Sequence, residues 1–255
     1  MNRIALGRLL VAALLLLGWE VAHRMLGTTY VAAPGAVAAR IVALFASGEI
    51  WQHLHSTLLV AAVGFLLGWL AGFALPILLS RSRRLMSAVE PFVIAAMGVP
   101  LFALIPLLIL WFGIGMSPRV VIVTSMVFFM VFITTLSGLR ALDRRMVDMG
   151  RVLGATDWQL TLHIRRHAMR PFLFAGLKLS VPRAISATIV SEFLVAENGL
   201  GYYIEHGRQT ADSVGVFAGI VLVVMLVAAF DLVLSAWERR AARWQGAPGG
   251  VESQA

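Results

Sequence analysis

Six apolar runs, each about long enough to cross a bilayer, constrain this chain more than any other feature. They cover roughly Ile4–Ala22, Ser56–Leu79, Pro91–Phe112, Val120–Leu139, Phe172–Ala196 and Val214–Trp237. Hydrocarbon offers no water to backbone N–H and C=O groups, so a spanning segment of about 20 apolar residues is expected to be helical. The expected fold class is therefore all-α, a polytopic membrane protein with six transmembrane helices. The runs use most of the 255 residues. That predicts a single membrane domain over 1–240 with no soluble domain. Residues 241–255, rich in Gly and polar side chains, read as a disordered cytoplasmic tail.

A net charge of +8 would point to nucleic acid in a soluble protein. Here the placement of charge matters more than its sum. Arg3 and Arg8 precede the first run, and Arg24 and Arg40 are thinly spread over the long first loop. Arg81, Arg83 and Arg84 crowd the second loop, Arg119 is in the third, seven arginines lie in the fourth, and Arg208 is in the fifth. Arg239, Arg240 and Arg243 follow the last run. Dense and sparse loops alternate, the positive-inside pattern with both termini cytoplasmic. The chain is thus expected to partner membrane lipid and not nucleic acid. The first run could also serve as a signal peptide. Trp19-Glu20 stands where small cleavage-site residues belong, which favours an uncleaved span. Cysteine is absent, which excludes disulfides and thiolate metal sites.

Within the runs, several patterns carry structural meaning. Pro34, then Val37, Ile41, Leu44 and Phe45 at helical spacing, predict a short amphipathic helix at the outer surface. Such a helix either contacts something outside or only packs on the bundle. Gly64, Gly68 and Gly72 form a double GxxxG, and the packing reading is preferred to ligand contact. Ser180, Ala184, Ala187 and Ser191 make a second small-residue packing stripe. Pro76 is expected to kink the second span. Pro91, Pro100 and Pro106 are expected to break the third, which is either a pathway helix or a plain kink. Lys178 lies near the inner end of the fifth span. Arg183 and Glu192 lie deeper, nine residues apart and on opposite faces, so each needs a partner elsewhere or water. Pro100, Pro106, Arg183 and Glu192 are the candidate translocation-path residues.

The one long polar stretch runs from Arg140 to Arg170. Asp143 can cap a helix over Arg144–Leu153, with Met146, Met149 and Leu153 on one side. Gly154 stands where that helix should stop. Thr156 and Gln159 read as a capping box opening a second helix from Asp157 to about Ala168, and Pro171 then opens the fifth span. The product is a helix-turn-helix over about 140–171 that presents Trp158, Leu153, Leu160 and Ile164 among charges. It is either a docking knob or a basic loop resting on anionic headgroups.

The stretch Asp148-Met149-Gly150, with Gly154 and Ile164 at fixed offsets, resembles the EAA loop of binding-protein-dependent ABC importer permeases. Arg151 to Thr156, Pro171, Gly176-Leu177, Ile105 to Gly115, Ser47-Gly48-Glu49 and Gly199-Leu200-Gly201-Tyr202 are similar to the sulfonate, nitrate and taurine branch. The resemblance covers roughly Ala33 to Asp231. Asp148 replaces the usual Glu, Gly150 the usual Ala, and Arg166-His167 the usual Leu-Pro.

This resemblance implies a multi-pass permease subunit of the inner (plasma) membrane, importing a small solute such as a sulfonate, taurine or nitrate. It implies a cytoplasmic coupling loop in which Asp148, Gly150, Leu153, Gly154, Ala155, Asp157, Trp158 and Ile164 meet the ATPase. The implied partners are cytoplasmic ABC ATPase subunits, an external solute-binding protein and a second permease copy, with a homodimer expected. No cofactor is expected in this chain; ATP and Mg belong to the partner ATPase. The residues agree, since the only lysine, Lys178, follows Leu177 and makes no phosphate loop. The chain is not expected to be an enzyme. His53 with His55, and His163 with His167, lack the context of a metal site. An ion-gradient-driven secondary transporter is the alternative; it would be expected to carry paired broken helices with buried carboxylates in both halves.

Overall fold

The computed structural model describes residues 3–80, 82–141, 144–160 and 166–242. Eleven helices appear among them: α1 Arg3–Leu26, α2 Pro34–Ser47, α3 Glu49–Leu79, α4 Arg83–Met97, α5 Ile105–Phe112, α6 Met116–Arg140, α7 Arg144–Val152, α8 Asp157–Leu160, α9 Arg166–Val195, α10 Leu200–Gln209 and α11 Ser213–Ala242. A short 3-10 turn, Leu101–Leu104, precedes α5. Four helical stretches are long and apolar enough to cross a membrane: Glu49–Leu79, Met116–Arg140, Pro171–Val195 and Ser213–Trp237. A fifth results if Arg84–Met97 and Leu101–Phe112 count as one broken span. The first predicted span lies within the 24-residue helix α1.

Two expectations about proline are corrected. The third span is interrupted only around Gly98–Pro100. Pro91 lies inside α4, and Pro106 sits in the first turn of α5, where its missing N–H has no helical partner to lose. Pro171 does not open a helix either: α9 starts at Arg166 and runs through Pro171 and Pro182. Pro76 lies inside α3, three residues before its end at Leu79.

The chain gathers into two compact units. The first draws on Met1–Ala62, Leu101–Ile122 and Ile185–Met225. In it the loop after α1 and the amphipathic helix α2 are pinned by Ala32, Val37 and Ala218, which pack with Trp19, Ile41 and Phe217. The Trp19 indole N–H donates to the Ala32 carbonyl at 2.9 Å, and its ring stacks on Phe217. Arg40 on α2 pairs with Asp212 at 2.9 Å, and the Ser213 hydroxyl donates to the Thr28 carbonyl. A second cluster joins Ile105, Leu108, Ile122 and Val195.

The other unit draws on Val63–Pro100, Val123–Ala184 and Leu226–Ala255. Its centre is the glycine face of α3 on α6. A Cβ added to Gly64 would stand 2.6 Å from Val123 Cβ. One on Gly68 would stand 2.5 Å from the Thr124 carbonyl oxygen, and one on Gly72 2.7 Å from that of Phe128. Backbones this close leave no room for a larger side chain at these three positions. α6 and α9 meet in the same way, with Gly138 against Phe172 and Gly176 against Thr134. Glu90 and Arg140 close an ion pair at 2.6 Å.

Candidate functional site

The polar hairpin is built by local rules. At the end of α7 the Gly154 N–H donates to the Arg151 carbonyl at 2.9 Å, and the Ala155 N–H reaches back to the Gly150 carbonyl at 3.0 Å. These are the two bonds of a Schellman motif, which needs a left-handed residue; Gly154 supplies it at φ +82°. Two residues on, the Thr156 N–H donates to Gln159 Oε1 at 2.8 Å, and the Gln159 N–H donates to Thr156 Oγ1 at 3.3 Å. That is the expected capping box. Two adjacent caps leave the turn little freedom.

The hairpin sorts its side chains by exposure. Gly150 and Leu160 are buried. Leu160, expected to be presented, is only 1% exposed and anchors the hairpin instead. Met146, Met149, Val152 and Leu153 are open, with Val152 88% and Leu153 78% exposed. Asp148 and Arg151 pair at 3.6 Å beside them. Asp157 and Trp158 lie on α8, and their side chains fall outside the described set. Ile164 and His163 lie outside the described residues, as do Asp143 and the tail from 243.

A second constellation, which sequence reasoning did not assemble, surrounds Glu192. This residue is 1% exposed. The Thr57 hydroxyl donates to its carboxylate, at 2.9 Å from Oε1 and 3.0 Å from Oε2. The Gly201 N–H donates to Oε2 at 2.8 Å. Arg119 Nη1 stands 3.9 Å from Oε1. Thr57 Oγ1 accepts the Leu200 N–H at 2.9 Å, and His53 Nδ1 accepts the Gly199 N–H at 3.2 Å. Arg119 is itself held by the Gly115, Ser56 and Asn198 oxygens. A buried charge is tolerable when paired and hydrogen-bonded in this manner.

The same geometry explains the Gly199-Leu200-Gly201 sequence. A Cβ on either glycine would overlap Glu192, and Gly199 also takes φ +130°. Their lack of side chains lets the backbone close on the carboxylate.

The remaining candidates divide clearly. Arg183 is exposed and makes no hydrogen bond or ion pair among the described residues, while Glu192 is enclosed. Pro100 and Pro106 are exposed. Ser180, Ala184 and Ser191 are buried. No group of three metal-binding side chains occurs among the described residues. On α10, Glu205 binds Arg208 at 2.6 Å, and that hydrogen bond holds its carboxyl down at about 2.

Comparison with known proteins identifies the family. The profile of the binding-protein-dependent transport system inner membrane component matches residues 64–243. The putative aliphatic sulfonates transport permease protein SsuC of Escherichia coli is 31% identical, over 90% of this chain and 88% of its own. The formylaminopyrimidine transport permease protein ThiX of Halalkalibacterium halodurans is 31% identical over 84% of this chain and 85% of its own. The riboflavin transport system permease protein RibX of Chloroflexus aurantiacus is 29% identical over 94% and 91%. Among solved structures, an inward-facing MetNI methionine ABC transporter superposes with a TM-score of 0.65 at 19% identity, covering 76% of this chain and 97% of that one. These matches decide against the secondary-transporter alternative. The chain belongs to the binding-protein-dependent transport system inner membrane components, the multi-pass permease subunits of ABC importers, a family that lacks ATPase activity.

Proposed function

We propose that this permease imports a small organic or inorganic anion of the sulfonate, taurine or nitrate kind, driven by ATP that separate cytoplasmic subunits hydrolyse. One membrane domain over 1–240, with six spans and both termini cytoplasmic, forms half of a homodimer. An external solute-binding protein delivers the solute. ATP closes the ATPase pair, the hairpins follow, and the two permease halves alternate access.

The observation that carries this reading is the hairpin itself. A doubly capped turn presents Met146, Met149, Val152 and Leu153 to solvent beside Asp148 and Arg151. Exposed apolar side chains on a rigid, charged support are what a protein partner buries. Gly150, Gly154 and Ala155 shape the turn, while Asp157, Trp158 and Ile164 complete the proposed contact. Solute passes near Pro100, Pro106 and Arg183. The buried pairing of Glu192 supports a holding role for it rather than solute contact.

Gly154→Val tests the coupling role. A β-branched residue at φ +82° costs roughly 1–3 kcal/mol of local strain. The turn should open, ATP-linked uptake in proteoliposomes should be lost, and membrane insertion should remain. Normal uptake in this variant would sink the proposal.

A further inference from the structure

We propose that Glu192 is a positioning residue for transport: with Thr57 it caps α10 from outside and makes α10 one body with the Glu192 end of α9. This rests on the reading of the chain as a permease that alternates access.

The need for an outside cap is visible in α10 itself. A helix N-terminus leaves its first amides without partners. α10 begins after Gly199, which makes no side-chain cap. The orphan amides are met from far along the chain. Leu200 N–H goes to Thr57 Oγ1, 143 residues away, and Gly201 N–H goes to Glu192 Oε2. A carboxylate there also faces the positive end of the α10 dipole. Thr57 links both contacts, since its hydroxyl proton goes to Glu192 while its oxygen accepts the Leu200 amide.

The turn between α9 and α10 is fastened on its other side as well. Gln52 Nε2 donates to Asn198 Oδ1 at 2.8 Å, and Ser56 and Arg119 donate to the Asn198 carbonyl. Four elements, α3, α6, α9 and α10, therefore share one buried polar joint. Such a joint has a single good geometry, because partial opening strands a buried charge. Displacement of the α9 end then carries α10 with it.

The chain has no cysteine, so paired labels can be introduced directly. Leu194 on α9 and Gln209 on α10 are both exposed. With Leu194→Cys and Gln209→Cys spin-labelled, electron-electron distances are measured in the assembled transporter with its ATPase subunits and binding protein, labelled copies diluted among unlabelled ones. We expect one narrow distance, unchanged between the nucleotide-free and ATP-trapped states. Thr57→Val should broaden it and lower the uptake rate about tenfold, the effect of roughly one charge-assisted hydrogen bond. Thr57→Ser should restore both, a rescue that a merely space-filling role for Thr57 would not give. Glu192→Ala should act as Thr57→Val does. A distance that shifts between states in a complex that assembles and transports would overturn the inference while leaving the permease reading intact. So would a narrow distance and normal uptake in Thr57→Val.

Discussion

Arg183 stands exposed within the candidate span Pro171–Val195. A guanidinium at that depth costs several kcal/mol against lipid, so water, a lipid headgroup, another chain or an anion has to meet it. If it guides an anionic solute, Arg183→Gln should raise the KM for sulfonate uptake about tenfold, with the folded amount unchanged. Uptake that ignores the substitution would count against the anion-guiding role. Glu192, marked in the sequence by the same cost, proved to be of another kind. Its burden is met by Thr57, 135 positions away, and by Arg119. The sequence could show that a partner was required, but no spacing rule could name one, because the joint is made by tertiary packing. The Gly199-Leu200-Gly201 motif was the available signal: two glycines flanking one leucine just after a buried acid mark a close backbone approach.

At the scale of elements, what was legible was local. Gly154, Thr156 and Gln159 act on neighbours within five positions, and the Schellman motif and capping box formed where the residues placed them. The double GxxxG was legible for the same reason, since residues four apart share a face. Proline was the poorer guide. α9 runs through Pro171, and just beyond it Phe172 packs on Gly138 and Gly176 on Thr134, tertiary contacts that local propensity does not register. Leu160 was misassigned because hydrophobicity does not say whether a side chain anchors its own hairpin or awaits a partner. The glycine face allows a direct check. Gly68→Val would force α3 off the Thr124 carbonyl and Val127, and such overpacking typically costs about 1–3 kcal/mol. Thermal unfolding in detergent should shift down by several degrees; an unchanged midpoint would mean that α3 and α6 do not meet so closely.

For the whole molecule, the apolar runs and their charge alternation led to an all-helical, multi-pass protein. The described helices supply four candidate spans, or five with the broken pair. Relatives near 30% identity carry names for aliphatic sulfonates, formylaminopyrimidine and riboflavin. Such a spread fits a scaffold whose solute is chosen largely by the external binding protein. The proposed coupling role of the hairpin would not depend on that choice, and the exposed face of α7 is its proposed point of entry. Amide hydrogen exchange across Arg144–Leu160, with and without the ATPase subunits bound, tests this most directly. Strong added protection centred on Met146, Met149, Val152 and Leu153 is expected when the ATPase is present. Exchange there that is unchanged by a bound ATPase would contradict the coupling role.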